Sequence, residues 1–378
     1  MKGRIGHNLW LAGRSVNGNA IRNYMKRGRM EINYLVGDVL TKPRAGISEY
    51  TKQIVKGFCD DAYLVSEHEI KNPFPVPHLW YPYVARKMRK WHHFPIDTFL
   101  GGDFINADIV HNTTQFPTLF KFKVPYVYTV HDLVPIMFPE YHRWPLRYWY
   151  ALTFKKTLRS ADRIICVSKN TEKDLLKLYP ECLGRTRVVY NGYDPYFKDL
   201  KMEREDFVLS VGTIEPRKNY VRLVKAWDLI PRSIKGKTRL LIAGAIGWES
   251  KSNIEWIRDH NDIDLLGRVS KEELRELYNT AKFFVYPSLY EGFGLPPLEA
   301  MACGCPTITS ETSSLKEVVG AGSTIDPYNI NFMSEDIYLM LTRPKLRDSL
   351  VKSGEWNITR FSWEKCIKET KQVYEELI

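Results

Sequence analysis

Short apolar runs rich in β-branched and aromatic residues alternate along this chain with helical patterns, and the alternation occurs twice. The first set of runs covers 32–36, 62–65, 108–111, 126–130, 163–167 and 187–190. The second covers 207–211, 239–243, 263–266, 283–286, 307–309 and 323–325. Helical patterns fall between them, among others at 47–58, 145–160, 170–179, 219–230, 271–280 and 296–303. Strand–helix alternation of this kind predicts parallel, doubly wound sheets with helices on both faces. Residues 194–206 are charged and irregular, and they separate the two sets. The expected class is therefore α/β, with two Rossmann-like domains facing a cleft. A hydrophobic content of 44% over 378 residues is enough for two packed cores.

The expected organisation is a basic extension over 1–30, an N-terminal domain over 31–194 and a C-terminal domain over 207–361. A last helix over 362–378 follows, with Ser362 as its N-cap. Ligands of open α/β sheets bind at the carboxyl ends of strands. The polar segments Gly212–Asn219, His131-Asp132 and Glu291–Glu299 all follow predicted strands, so they should converge on the cleft.

The richest of these segments is Tyr290-Glu291-Gly292-Phe293-Gly294-Leu295-Pro296-Pro297-Leu298-Glu299-Ala300-Met301. Two carboxylates stand eight residues apart across a Gly-rich turn and a helix start. Free N–H groups at a helix start attract phosphate, and carboxylates accept hydrogen bonds from sugar hydroxyls. A ligand that is part phosphate and part polyol fits both. Lys218 and Arg217 can bind a diphosphate and offset charge on a leaving group.

These segments, together with Gly304–Ser310 and Ser314–Gly320, resemble the donor-site signatures of the retaining glycosyltransferases of family 4, a GT-B-fold group. The resemblance runs from about residue 32 to the C-terminus and is strongest over 207–327. It implies that Lys218 contacts the diphosphate and that Glu291 touches donor-sugar hydroxyls. Glu299 would bind the ribose, with both carboxylates ionised. Many members carry an Arg directly after the Gly of this loop. Thr213 stands there in this chain, and Arg217 is expected to take over.

The backbone of Phe293, Gly294 and Leu295 is expected at phosphate oxygens, and that of Arg268 and Val269, with Gly267, at the base. His131 would donate to the sugar or the developing oxyanion. Asp132 would orient His131 or bind the acceptor. Gly46 opens the first helix, where relatives press a loop against the ligands. The last helix is expected to cross back to the N-terminal domain.

The implied reaction moves a hexose from a nucleotide-diphosphate sugar to a hydroxyl of a glycan or lipid-linked acceptor, with retention. The resemblance implies front-face attack, in which the leaving phosphate helps to deprotonate the acceptor. No carboxylate stands out as the nucleophile that double displacement requires. The motif wording, with Phe138-Pro139-Glu140-Tyr141-His142, is similar to bacterial surface-polysaccharide mannosyltransferases. GDP-mannose is thus the first expectation and a UDP-sugar the second. Two other readings stay open: a GT-B-fold sugar-nucleotide epimerase and a non-catalytic membrane-associated scaffold.

No metal or separate cofactor is expected. Asp262-Ile263-Asp264 is a D-x-D lying in a strand pattern rather than at its end, and Cys303 and Cys305 read as core thiols. The six scattered cysteines suit a reducing cytoplasm. No run of ~18 apolar residues predicts a membrane span. Residues 1–30 hold seven basic residues and no acid, so they carry +7 of the formal +11. The arm is read as disordered, or as sequence upstream of a start at Met30, with contact to anionic lipid as the alternative, and Arg86–His93 equally as a solvated helix face or a membrane-interface patch. No nucleic-acid motif accompanies the charge.

Overall fold

The computed structural model describes residues 32–35, 46–58, 62–66, 78–80, 107–117, 122–141, 146–247, 251–320 and 324–378. The arm 1–30, the basic patch 86–93 and Cys59 lie outside them.

The first sheet contains β1 (Ile32–Leu35), β2 (Ala62–Ser66), β3 (His78–Trp80), β4 (Ile109–Asn112), β5 (Tyr126–Val130), β6 (Arg163–Cys166) and β7 (Thr186–Val188). Its order is β3-β2-β1-β4-β5-β6-β7, with every pair parallel. The second contains β8 (Phe207–Val211), β9 (Arg239–Ala243), β10 (Ile263–Gly267), β11 (Phe283–Tyr286), β12 (Thr307–Ser310) and β13 (Thr324–Ile325). Its order is β10-β9-β8-β11-β12-β13, again all parallel. Each sheet reverses its winding once, between β1 and β4 and between β8 and β11. A doubly wound sheet leaves its ligand crevice at such a point.

The sequence pattern assigns six strands to the first half, and the described residues hold seven. Pro73, Pro75 and Pro77 before β3 argue against a strand. β3 itself, His78–Trp80, holds none of them and lies at the sheet edge, paired with β2.

The main helices are α1 (Gly46–Gly57), α2 (Leu146–Ser160), α3 (Lys169–Leu178), α4 (Tyr220–Asp228), α5 (Lys251–Arg258), α6 (Lys271–Thr280), α7 (Leu295–Ala302), α8 (Ile330–Thr342), α9 (Pro344–Ile358) and α10 (Trp363–Glu375). Alternation within strands builds a core on each sheet face. Tyr126, Tyr128 and Val130 of β5 pack with Tyr150 and Phe154 of α2. Val127 points the other way, toward Tyr50 of α1 and Trp363 and Tyr374 of α10. The last helix therefore lies on the first sheet, although it follows the second in the chain. Ser362 caps it, accepting from the Lys365 N–H at 3.1 Å. Glu376 anchors its end on Arg163 and Arg187, each at 2.7 Å.

Several contacts join the halves, two of them away from the strand ends described below. Val167 packs with Phe293, Leu298, Met301 and Phe361. The N–H groups of Lys169 and Asn170, at the start of α3, donate to Glu317 at 3.3 and 3.1 Å. A carboxylate suits the positive end of a helix dipole.

Among the described residues, no helix is long and apolar enough to cross a membrane. Five cysteines are free and buried. Asp262 is held by Lys235 and Trp227, and Asp264 by Arg239.

Candidate active site

Strand β8 ends at Val211, and the chain then turns toward α4 through a single 3-10 turn, Pro216–Lys218. Asn219 closes that turn at φ 65°, a left-handed conformation that Asn tolerates. Its side-chain amide donates to the Pro287 and Pro327 carbonyls at 3.1 and 2.8 Å. The loop after β8 is thereby fastened to the loops after β11 and β13. Across the winding reversal, β11 ends at Tyr286 and leads through Ser288 to Glu291.

The two loops meet in one buried charge cluster. Lys218 Nζ donates to Glu291 Oε1 at 2.5 Å and to the Tyr286 hydroxyl at 2.6 Å. Arg217 Nη1 lies 2.9 Å from Glu291 Oε2, and its Nη2 donates to Glu215 Oε1 at 2.7 Å. The Ser288 and Tyr286 hydroxyls also donate to Glu291 Oε1, at 2.6 and 3.0 Å. Burial by itself would raise the Glu291 pKa, but Arg217 and Lys218 pull it down to about 2. Glu291 is therefore ionised, as expected. Burial lowers the Lys218 pKa against the pull of Glu291. It raises that of Glu215, despite Arg217 and Lys218.

The first half closes over this cluster. A Cβ placed on Gly292 would lie 1.7 Å from the His131 carbonyl oxygen, so only glycine permits this approach of two backbones. His131 is buried, and its Nε2 lies 2.8 Å from the Thr113 carbonyl. A carbonyl only accepts, so Nε2 carries the proton. Burial lowers the His131 pKa and keeps the ring neutral. This corrects the expected role: the N–H is spent on Thr113, and Nδ1 can accept a hydroxyl rather than donate to one.

Asp132 does not orient His131. Its Oδ1 accepts from Gln115 Nε2 at 2.7 Å and from the Val134 N–H at 3.0 Å. The Asp132 charge instead helps to hold Arg217 protonated, after Glu291 and Glu215.

Helix α7 starts beside the cluster. Gly294 precedes it at φ 114°, with no side-chain cap. Pro296 and Pro297 lack N–H groups, so Leu295 carries the free N–H of the first turn. Gly46 from the first half sits over this turn, since a Cβ there would be 3.5 Å from the Leu295 side chain. The Phe293 ring is core, 5.6 Å from that of Phe361, and its carbonyl accepts from Ser314.

Glu299 lies further along α7 and accepts from the Tyr278 hydroxyl at 3.3 Å. Burial, with the carboxylates of Asp194 and Glu49 nearby, pushes its pKa up to about 8. The expectation that both carboxylates are ionised thus fails at Glu299, because Lys271, itself paired with Asp194, offsets burial far less than Arg217 and Lys218 do at Glu291.

Thr213 is exposed on the rim, where Gly247 gives its methyl room. Arg268 is exposed after β10, and Val269 is half-buried against the core of the second sheet.

Sequence reasoning did not single out Glu215, Tyr286, Ser288, Tyr50 or Thr113. Glu215 stands inside the quoted motif, and Tyr286 and Ser288 are polar groups where a strand ends, so both signals were present. Tyr50 and Thr113 meet His131 only through the fold.

Comparison with known proteins agrees with this layout. Residues 194–356 match the model of the glycosyl transferases group 1, and residues 42–197 match that of glycosyltransferase family 4. The O-antigen chain mannosyltransferase B of Escherichia coli is 33% identical over 273 residues, which span 66% of this chain and 70% of that protein. The sucrose-phosphate synthase of Thermosynechococcus elongatus superposes with a TM-score of 0.69 at 21% identity, over 92% of this chain and 99% of that one. Anabaena HepE in complex with UDP-glucose superposes at 0.66 and 17% identity, with the same coverage. The architecture is GT-B. With the two models spanning both halves and a relative this similar, the chain belongs to glycosyltransferase family 4 and is a glycosyltransferase.

Proposed function

We propose that the protein transfers mannose from GDP-mannose to a hydroxyl of a glycan or lipid-linked acceptor, with retained anomeric configuration. The observation that carries this reading is the Arg217–Glu291–Lys218 cluster, set between the start of α7 and His131. In the free protein both cations pair with Glu291, and Arg217 pairs with Glu215 as well. A diphosphate arriving at the Leu295 N–H would draw Lys218 and Arg217 to itself. Glu291 would then be released to accept hydroxyls of the sugar.

In the transfer, the bond from the anomeric carbon to the diphosphate breaks as the bond to the acceptor oxygen forms. The acceptor proton passes to the leaving phosphate oxygen. Arg217 and Lys218 stabilise the charge that develops there, and His131 Nδ1 accepts from a hydroxyl near the reacting carbon. Mannose is favoured by the name of the Escherichia coli relative, and UDP-glucose is the competing donor by that of HepE.

The test is turnover of GDP-mannose and UDP-glucose with lipid-linked glycan acceptors, with the new linkage read by NMR. We expect α-mannosyl product from GDP-mannose. Transfer from UDP-glucose alone would overturn the sugar, and a β-linkage would overturn retention. Turnover of donor without acceptor would favour an epimerase.

Glu299 provides a pH signature. Its carboxyl is mostly protonated at pH 7 and accepts two ribose hydroxyls best when ionised. Donor binding below pH 8 should therefore release a proton, and affinity should rise toward pH 8 and level off above it. Calorimetry in two buffers of different ionisation enthalpy measures the proton, and Glu299→Gln should abolish the difference. Equal heats with the unaltered protein would remove Glu299 from the ribose contact.

A further inference from the structure

Behind His131 runs a chain of buried polar groups that the proposed transfer does not use. The Tyr374 hydroxyl, on α10, lies 2.6 Å from His111 Nδ1. His111 Nε2 lies 2.8 Å from Thr129 Oγ1, and Thr129 Oγ1 lies 3.0 Å from the Tyr50 hydroxyl. The Tyr50 ring meets the His131 imidazole edge to face, with centroids 4.9 Å apart at 82°. Tyr374, His111, Thr129 and Tyr50 are each fully buried. Thr129 and His131 are two residues apart at the end of β5, so they share the sheet face that α1 and α10 cover.

We infer that Tyr374 is a positioning residue, acting through His111, Thr129 and Tyr50 on the imidazole of His131. The inference rests on the role given to His131 above. Each member of the chain is neutral and can both donate and accept. Fixing one proton fixes the order of the rest. Burial holds His111 uncharged, with a pKa near 3, so no charge interrupts the chain. Buried hydroxyls carry a desolvation cost that apolar side chains would avoid. Docking of α10 does not need this one. Trp363, Cys366 and Val373 already pack it on the first sheet, and Glu376 pairs with two arginines. The Tyr374 hydroxyl adds direction rather than adhesion. The last helix, which leaves the donor half, thereby reaches the back of the residue that faces the donor.

The test compares Tyr374→Phe, Tyr50→Phe and Glu376→Gln by histidine-ring NMR, with the His131 signals assigned through His131→Asn. We expect both Phe variants to shift the His131 ring signals. They should also lower kcat by about tenfold, the usual worth of one hydrogen bond, with donor KM changed less than about twofold. Glu376→Gln, which loosens α10 without touching the chain, should leave the signals and kcat in place. Unmoved His131 signals in folded Tyr374→Phe would overturn the inference, as would an equal shift in Glu376→Gln. Should no donor be turned over at all, the transfer reading fails alone, because the spectra still decide the relay.

Discussion

Replacing Lys218 with Ala is expected to lower turnover at saturating donor by about 100-fold or more, the usual cost of deleting a preorganised charge at a developing anion. Lys218 is 8% exposed, with its ammonium between the Tyr286 hydroxyl and Glu291. Water cannot substitute for it at that depth. Arg217 still neutralises Glu291 in the variant, so the fold should survive, and an unchanged melting temperature would show this. Lys218→Arg should not rescue, because a planar fork does not fit a space shaped for a point charge. Turnover within tenfold of the unaltered protein would remove Lys218 from the leaving-group role.

The second large effect is expected at Gly292. An Ala Cβ there would lie 1.7 Å from the His131 carbonyl oxygen and 2.7 Å from its carbon. Both obstacles are backbone, and no rotamer change relieves them. The two halves must move apart, and the displacement falls between Glu291 and His131. Overpacking of this kind costs about 3 kcal/mol. A misplacement of ~1 Å at reacting groups costs about 100-fold in rate. Thermal melting and turnover of Gly292→Ala measure the two effects separately. Melting and rates like those of the unaltered protein would mean that the halves do not close on this glycine.

The two predictions probe different parts of one arrangement. Lys218 supplies charge, while Gly292 supplies the approach that brings His131 to that charge. Ser313 supports the approach as well. It lies at φ 53°, an unfavourable conformation for a side chain, and its hydroxyl accepts from the Glu291 N–H at 2.9 Å. Strain retained at such a point is common where a site must be held in shape.

The doubly wound architecture was legible because its signal is local. β-branched runs such as Phe207–Val211 and Phe283–Tyr286 alternate with helices of clear periodicity, and those strands appear with the expected bounds. The edge strand β3 was hidden, since its support comes from β2 and not from its own three residues. The charged residues of the candidate site were legible for a related reason. Lys218, Glu291 and Glu299 stand in contiguous motifs beside strand ends, and the winding of the sheet brings Lys218 to Glu291.

Local pattern, then, specifies the two sheets, the helix starts and the types of charged group offered to a ligand, because periodicity and turn chemistry act over a few residues. Tertiary packing alone sets the state of those groups. Glu291 is ionised because Arg217 and Lys218 surround it, whereas Glu299, equally acidic in sequence, holds its proton because burial and the carboxylates of Asp194 and Glu49 outweigh Lys271. The His131 N–H is committed to the Thr113 carbonyl, which leaves Nδ1 as an acceptor, and Tyr374 reaches it from 243 residues away through His111, Thr129 and Tyr50. Such contacts depend on which distant surfaces share a buried, weakly screening interior, and no window of the sequence contains both partners.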